Sequence, residues 1–206
     1  MYKLYGWKLT GSLATEAALK EAGADYEIIP LNIKAGEQHQ AEYGRINPRR
    51  QVPALVLQDG SVVTEGAAIL LHIADAHPQS RLAPPPGSSE RAQHDRWLFF
   101  FAVNVYEGEL RKLNPQNYVS SADCAEAVRA AADSYVEKHY RIFEEALGEG
   151  PYTFADTFTV LDIYIWMLAQ WMPPEWLAEV CPKINRLVES TKVRSSIAPV
   201  QEGHFG

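Results

Sequence analysis

The most informative segment for the fold, Asn47 to Leu70, reads NPRRQVPALVLQDGSVVTEGAAIL. It contains an X-Pro step at Val52-Pro53, a turn pair at Asp59-Gly60 and an acidic helix start at Thr64-Glu65-Gly66. An X-Pro bond is the one peptide bond at which a cis conformer costs little. An Asp-Gly pair supplies the positive φ of a tight hairpin turn. The pattern therefore predicts a loop that enters a hairpin, followed directly by a helix.

Both ends of this stretch have the chemistry to hold a small zwitterionic peptide. If Val52-Pro53 is cis, the Val52 N–H and C=O face away from the sheet, and an extended peptide could pair with them as an added strand. The helix start at Thr64-Glu65-Gly66 offers free N–H groups for a carboxylate, and Glu65 offers a carboxylate for an ammonium. A simpler interpretation is equally open, because an acid in a first helical turn is stabilising and Thr64 would be an ordinary cap.

The elements around this stretch predict a small mixed domain. Apolar periodicity indicates the order β-α-β, loop, β-β-α. Ser12 is a plausible N-cap of the first helix, Gly23 stops that helix, and Pro30 favours a sheet edge or a strand end. The segments are a strand at 2–6, a helix from 12 to 23, a strand at 26–31, a polar loop at 32–48, the hairpin, and a helix at 66–77.

The composition changes abruptly after this domain. Prolines and serines in the segment 79–89 predict an interdomain linker between a first domain at 1–78 and a second at 90–206. Beyond the linker only helical periodicity is found, so the second domain is predicted to be a helical bundle. Thr159 and Asp162 form a capping-box pattern at the start of one of its helices, flanked by Phe158 and Ile163 as a hydrophobic staple. The helical stretches are 89–113, 122–148, 159–172 and 183–197.

Bulk properties exclude several classes of function. The 206 residues are 47% hydrophobic, which is enough to bury a core, and the net charge of −7 argues against nucleic acid or anionic membrane as a partner. The first nine residues are too few and too polar for a secretory leader, and no apolar run would span a bilayer, so the protein is expected in the cytoplasm. Cys124, Cys181 and the six histidines have no metal-ligand spacing, and we predict no metal.

The motifs together resemble the cytosolic glutathione transferases. INPRRQVPAL, DGSVVTEGAAIL, the proline-rich linker, the all-helical second part and FTVLD occur in the order of that family, and the bacterial, beta-like branch is most similar. The resemblance implies a thioredoxin-like N-terminal domain (an α/β fold), an all-α C-terminal domain, a cis Val52-Pro53 and a homodimer. It implies glutathione as co-substrate, with contacts from Gln51, Val52, Pro53, Glu65 and Gly66, and it suggests Lys34 for the glycyl end of glutathione.

Two positions depart from the family pattern. Gly66 stands where most relatives carry serine, so a hydroxyl contact to the γ-glutamyl carboxylate is lost while the backbone N–H remains. Gly11 stands where the bacterial branch carries a catalytic cysteine. A hydroxyl donor with a helix N-terminus can lower a thiol pKa by roughly one to two units. Thr10 and Ser12 are the hydroxyls in reach, and for Ser12 the roles of thiolate donor and helix cap are equally open.

The helical domain is expected to supply the acceptor pocket. The bacterial pattern has a His-Lys pair near the sulfur, and Tyr106 and Glu107 occupy that place here, with Asn104 nearby. Tyr106 could donate to the sulfur or to an acceptor, although a tyrosine on a helix this aromatic is more often a packing residue. Trp7 is a further candidate for the pocket wall.

The primary hypothesis is an enzyme that conjugates the glutathione thiolate to hydrophobic electrophilic small molecules. Two alternatives stay open from sequence. One is a glutathione-dependent peroxidase or disulfide reductase, which needs the same thiolate. The other is a non-catalytic module that binds glutathione or a protein partner, which the absent cysteine would favour. The retained Gln51, Val52-Pro53 and Glu65 argue against the last.

Overall fold

The computed structural model describes residues 1–205, which begin with a four-stranded mixed sheet. The strand order is β2-β1-β3-β4, with β1 parallel to β2 and antiparallel to β3. Pro30 ends the edge strand β2, where its missing N–H removes no ladder bond. Gly60 has φ +88° in the predicted hairpin turn. The strands are β1 (Tyr2–Gly6), β2 (Tyr26–Pro30), β3 (Ala54–Val56) and β4 (Val62–Val63).

Helices flank this sheet, and the second part of the described chain is built from helices joined by loops and short 3₁₀ turns. The arrangement confirms the predicted fold, a thioredoxin-like α/β domain followed by an all-α bundle. The helices are α1 (Ser12–Glu21), α2 (Ala41–Ile46), α3 (Gly66–Ala76), α4 (Ser89–Phe100), α5 (Glu107–Leu113), α6 (Ala125–Ala146), α7 (Val160–Ala169), α8 (Pro174–Val180), α9 (Pro182–Lys192) and α10 (Ile197–Phe205).

Four segments differ from the sequence-based expectations. The predicted loop 32–48 contains two short 3₁₀ turns and α2, a helix of six residues that is too short to leave a clear periodic signal. The stretch 89–113, predicted as one helix, is divided by a π-helical segment at Phe101–Tyr106. The short helices α8 and α10 were also not predicted.

The prediction that Ser12 caps α1 is wrong. Gly11 is the N-cap, and Ser12 already lies inside the helix. The Ser12 hydroxyl instead closes the preceding loop, because it accepts a hydrogen bond from the Trp7 N–H (3.1 Å) and donates to the Trp7 carbonyl (2.9 Å). Gly6 makes room for this contact, since a Cβ at residue 6 would lie 2.5 Å from the Ser12 Cβ.

The predicted capping box is present and anchors the core. The Asp162 carboxylate accepts hydrogen bonds from the N–H (2.8 Å) and the hydroxyl (2.9 Å) of Thr159. Phe158 and Ile163, the staple pair, are both buried. Every residue of α7 is buried, and this helix packs against α1 and α3 of the sheet domain as well as α4 and α9. It therefore joins the cores of the two domains.

Candidate active site

Two cavities meet between the sheet domain and the helical domain. One has a volume of about 410 Å³ and includes Glu65, Gly66 and Phe99 in its lining. The other has a volume of about 610 Å³ and includes Thr10, Gly11 and Trp171. The residues common to both linings are Arg49, Gln51, Val52, Tyr106 and Leu110. A molecule in one cavity would therefore lie directly beside a molecule in the other.

Val52 forms the corner that both cavities share. Its bond to Pro53 is cis, as predicted. Neither the N–H nor the C=O of Val52 has a hydrogen-bond partner within residues 1–205. The preceding carbonyl, that of Gln51, accepts hydrogen bonds from the Tyr43 hydroxyl (2.6 Å) and the Asn47 side-chain amide (2.8 Å). The corner is thus held in place while the main-chain groups of Val52 stay available to a bound molecule.

Glu65 lies at the N-terminus of α3 in an unusual backbone conformation. It is the N-cap, with φ +66° and ψ 109°, a region that residues other than glycine seldom occupy and that is enriched at ligand-binding sites. Its carboxylate is exposed and pairs with Arg49 at 2.5 Å. Behind it the first-turn N–H groups of α3 have no helical partners. One corner of the smaller cavity thus combines an acidic side chain, a guanidinium and free backbone donors.

The two predicted hydroxyl donors are already engaged. The Thr10 hydroxyl donates to the Trp7 carbonyl at 2.7 Å and lies 2.9 Å from the Ser12 hydroxyl. Thr10 lines the larger cavity, whereas Ser12 is buried and lines neither interdomain cavity. Ser12 faces a separate cavity of about 280 Å³ on the far side of the loop.

Tyr106, predicted for the acceptor pocket, lies at the boundary of both cavities. Its ring is stacked on Tyr164 with 6.2 Å between centroids and an interplanar angle of 11°, and it meets Trp171 edge to face with 5.5 Å between centroids. Burial raises the pKa of the Tyr106 phenol to about 12, and the nearby carboxylates of Glu107 and Glu65 act in the same direction. The phenol is therefore a proton-bearing donor at neutral pH.

Three residues proposed from sequence lie outside both interdomain cavities. Lys34 is exposed on a 3₁₀ turn, Ile33–Ala35, and only its neighbour Ile33 reaches the larger cavity. Trp7 lines the separate cavity that Ser12 faces. Asn104 is turned toward the helical bundle, where its amide donates to the Phe100 carbonyl (3.0 Å) and its oxygen accepts from the Tyr135 hydroxyl (2.7 Å). Asn104 and Tyr106 both belong to the π-helical segment, whose altered register changes the direction of its side chains. Tyr106 faces the cavities as a result, and Asn104 does not.

Sequence reasoning missed Arg49, Tyr164 and Trp171. Arg49 follows an Asn-Pro step in a polar segment, where no pattern distinguishes a ligand from a solvated charge. Tyr164 and Trp171 lie in or just after the most apolar helix, in which aromatic residues are normally part of the core. Their positions at the cavity depend on how α7 packs under α3.

The other features of the described residues do not indicate a second site of this kind. Residues 1–205 contain no cluster of three or more His, Cys, Asp or Glu side chains suited to a metal ion. Across the same residues, no helix combines the length and apolarity that a membrane crossing requires. A further cavity of about 620 Å³ is lined by Pro78, Pro84, Pro85 and Pro86 of the linker region and by Phe154, and it has no link to the Glu65 corner.

Comparison with known proteins gives consistent matches across both domains. Residues 1–75 match the family model for the glutathione S-transferase N-terminal domain, and residues 126–186 match that for the C-terminal domain. Glutathione S-transferase GstA of Escherichia coli O157:H7 is 28% identical over 193 residues, covering 91% of this chain and 92% of that protein. Glutathione S-transferase 1 of Zea mays is 30% identical, covering 78% and 76%.

The solved structures show the same similarity in three dimensions. A glutathione transferase homologue from Sulfitobacter, crystallised with bound glutathione, superposes with a TM-score of 0.91 at 25% identity. The alignment covers 100% of this chain and 99% of that one.

Proposed function

Because this chain belongs to the glutathione S-transferase family and is a glutathione transferase, we propose that it conjugates the thiolate of bound glutathione to hydrophobic electrophiles. The observation that carries the proposal is the convergence of Glu65, the N-terminus of α3 and the unpaired Val52 main chain on one cavity. The γ-glutamyl end and the cysteinyl main chain of glutathione would each find complementary groups there.

The smaller cavity is the proposed glutathione site. The γ-glutamyl ammonium would pair with the Glu65 carboxylate, and the γ-glutamyl carboxylate would accept from the free N–H groups at Gly66 and Ala67. The cysteinyl main chain would pair with the N–H and C=O of Val52, beside Gln51 and Pro53. Arg49 supplies a positive charge next to Glu65 and strengthens the attraction for a carboxylate.

The larger cavity is the proposed acceptor site. Its lining includes the apolar side chains of Leu9, Leu110, Leu113 and Trp171, which suit a hydrophobic molecule. Since Val52 and Tyr106 belong to both linings, a glutathione sulfur at this boundary would face an electrophile directly. Catalysis would then depend on a stabilised thiolate and on the proximity of the two substrates.

Two further proposals concern the state of the protein in the cell. We propose a homodimer, supported by the exposed apolar side chains of Phe99 (51%) and Val103 (63%), which lie one helical turn apart and also line the smaller cavity. We also propose a cytoplasmic location, the site expected from the sequence for a protein of this family.

The glutathione site is tested by calorimetric titration of the protein with glutathione and with S-hexylglutathione. Glu65→Gln should raise the glutathione dissociation constant about tenfold or more, because it removes the charge that pairs with the ammonium. The free energy of unfolding should change by less than about 1 kcal/mol, since the Arg49–Glu65 pair is exposed.

Glu27→Gln is the matched control, because Glu27 is an exposed glutamate on the edge strand β2. An unchanged dissociation constant in Glu65→Gln would end the proposed role of Glu65. Initial rates with a chlorodinitrobenzene acceptor then test conjugation. Glutathione binding without turnover of any acceptor would point to a non-catalytic module instead.

A further inference from the structure

The space beside Gly11 is filled by the phenol of Tyr106. A Cβ at residue 11 would lie 2.6 Å from the Tyr106 hydroxyl oxygen, 3.2 Å from its Cε2 and 3.3 Å from the Pro53 Cδ. A separation of 2.6 Å is far inside van der Waals contact, so residue 11 can carry a side chain only if the phenol moves away. The observed position of the Tyr106 phenol therefore requires that residue 11 has no side chain.

The Tyr106 hydroxyl is free to donate. Among residues 1–205 it has no hydrogen-bond partner, although its ring is fixed by Tyr164 and Trp171. With its pKa raised to about 12 by burial, the phenol holds its proton at neutral pH. A fixed ring with an unused O–H at a cavity boundary is a preorganised hydrogen-bond donor.

The alternative donors near Gly11 are less available. The hydroxyl oxygens of Thr10 and Ser12 lie within hydrogen-bond distance of the Trp7 carbonyl, at 2.7 Å and 2.9 Å, and 2.9 Å from each other. Either group would have to break such a hydrogen bond before it could donate to a ligand. Tyr106 has no such bond to lose, and unlike Ser12 it lines both interdomain cavities.

We propose that the Tyr106 hydroxyl, which occupies the space of the missing side chain at residue 11, is the hydrogen-bond donor that stabilises the thiolate of bound glutathione. This inference rests on the proposed function. The thiol proton leaves to solvent, and Tyr106 keeps its own proton throughout. The sulfur lone pair then forms the C–S bond, and the electrophile's leaving group departs with the displaced electron pair.

The test is the pKa of bound glutathione, read from the ultraviolet absorbance of its thiolate across pH in saturated protein. Tyr106→Phe should raise that pKa by about one unit, a roughly tenfold smaller thiolate fraction at neutral pH. The dissociation constant for S-methylglutathione, which cannot form a thiolate, should stay within about twofold. Tyr26→Phe, a half-buried tyrosine of the edge strand β2 outside both cavities, is the matched control.

Gly11→Ala provides a second and independent variant. It leaves Tyr106 in the sequence but drives the phenol from its place, and it should raise the bound-thiol pKa in the same direction. If circular dichroism shows that Tyr106→Phe is not folded, the bound-thiol pKa of Gly11→Ala tests the role of Tyr106 instead. An unchanged thiol pKa in both variants would overturn the proposal, as would a shift in Thr10→Val with none in Tyr106→Phe. If the unaltered protein binds neither glutathione nor S-methylglutathione, it is the proposed function that fails.

Discussion

At the scale of single residues, two glycines lie where the resemblance predicts a cysteine and a serine. Gly11 and Gly66 each lie against a tyrosine of the helical domain. Their surroundings differ, however. A Cβ at residue 66 would lie 3.6 Å from the Tyr164 Cε2 and 3.9 Å from its hydroxyl, which is ordinary contact, whereas a Cβ at residue 11 would collide with Tyr106. Residue 66 can therefore accept a side chain that residue 11 cannot.

This difference predicts that Gly66→Ser improves the glutathione site. A serine hydroxyl at the first position of α3 could donate to the γ-glutamyl carboxylate, so the dissociation constant should fall about fivefold to tenfold. Gly66→Ala fills the same space without a donor and is the matched control, expected to stay within about twofold of the starting value. Calorimetric titration measures both. Equal effects of serine and alanine would show that the gain comes from packing rather than from the hydroxyl.

Glu109 is a buried carboxylate outside the proposed site. It is 0% exposed, neither of its oxygens has a hydrogen-bond partner among the described residues, and the Lys112 ammonium is 3.8 Å away. Burial raises the pKa of the Glu109 carboxyl from 4.5 to about 7. Between these two pH values the folded protein retains a proton that the unfolded chain releases. The contribution of protonated Glu109 to stability is therefore fully present below pH 4.5 and is lost as the pH rises through 7.

We therefore expect Glu109→Gln to gain stability relative to the unaltered protein as the pH rises from 4.5 to 8. The gain should reach roughly 3 kcal/mol, the free energy that corresponds to a pKa of about 7 in place of 4.5. Urea unfolding at several pH values measures the difference. Glu145→Gln, an exposed glutamate of α6, is the control and should show no such trend. A pH-independent difference for Glu109→Gln would contradict the raised pKa.

At the scale of elements, the π-helical segment between α4 and α5 decides which side chains meet the ligand. It ends at Tyr106, and the side chains that this helical stretch contributes to the smaller cavity include Phe99, Ala102, Val103 and Tyr106. Local π geometry often marks functional sites because it changes the direction of the following side chains. The sequence predicts an uninterrupted helix here, since a single inserted residue leaves the apolar periodicity almost unchanged.

The start of α7 anchors the helix that packs against both domains. Asp162 is fully buried and accepts hydrogen bonds from Thr159 and from the Thr153 N–H at 2.7 Å. Asp162→Ala should lower the free energy of unfolding by about 2–4 kcal/mol, because it removes the capping interactions and leaves buried N–H groups unpaired. Urea unfolding followed by circular dichroism checks this. Asp156→Ala, an exposed aspartate before the helix, should change stability by less than about 0.5 kcal/mol.

At the scale of the whole molecule, the proposed dimer can be tested by a substitution at the exposed apolar pair Phe99 and Val103. Phe99→Glu places a charge where a second copy would pack, so sedimentation should shift from twice the mass of the chain to the mass of one chain. Val193→Glu is the control, because Val193 is an equally apolar residue with 71% exposure at the end of α9. A monomer before any substitution would refute the dimer. Dissociation by Val193→Glu would place the interface elsewhere.

Local patterns predicted the order of elements, the hairpin, the start of α3 at Glu65-Gly66 and the capping box of α7, because turn chemistry, periodicity and capping involve residues close together in the chain. The thioredoxin-like fold and the cis Val52-Pro53 were predicted from the resemblance to the family. Such local signals failed at Ser12. A serine at a helix start predicts an N-cap, but the Ser12 hydroxyl instead closes the preceding loop.

The remaining side chains around the two cavities could be identified only from the tertiary structure. Arg49, Tyr164 and Trp171 come from distant elements, and their meeting depends on how α7 packs under α3. Lys34, Trp7 and Asn104 fall outside the cavities for the same reason. A local pattern specifies the element that a residue belongs to, whereas its neighbours across the domain boundary follow from the packing of whole helices.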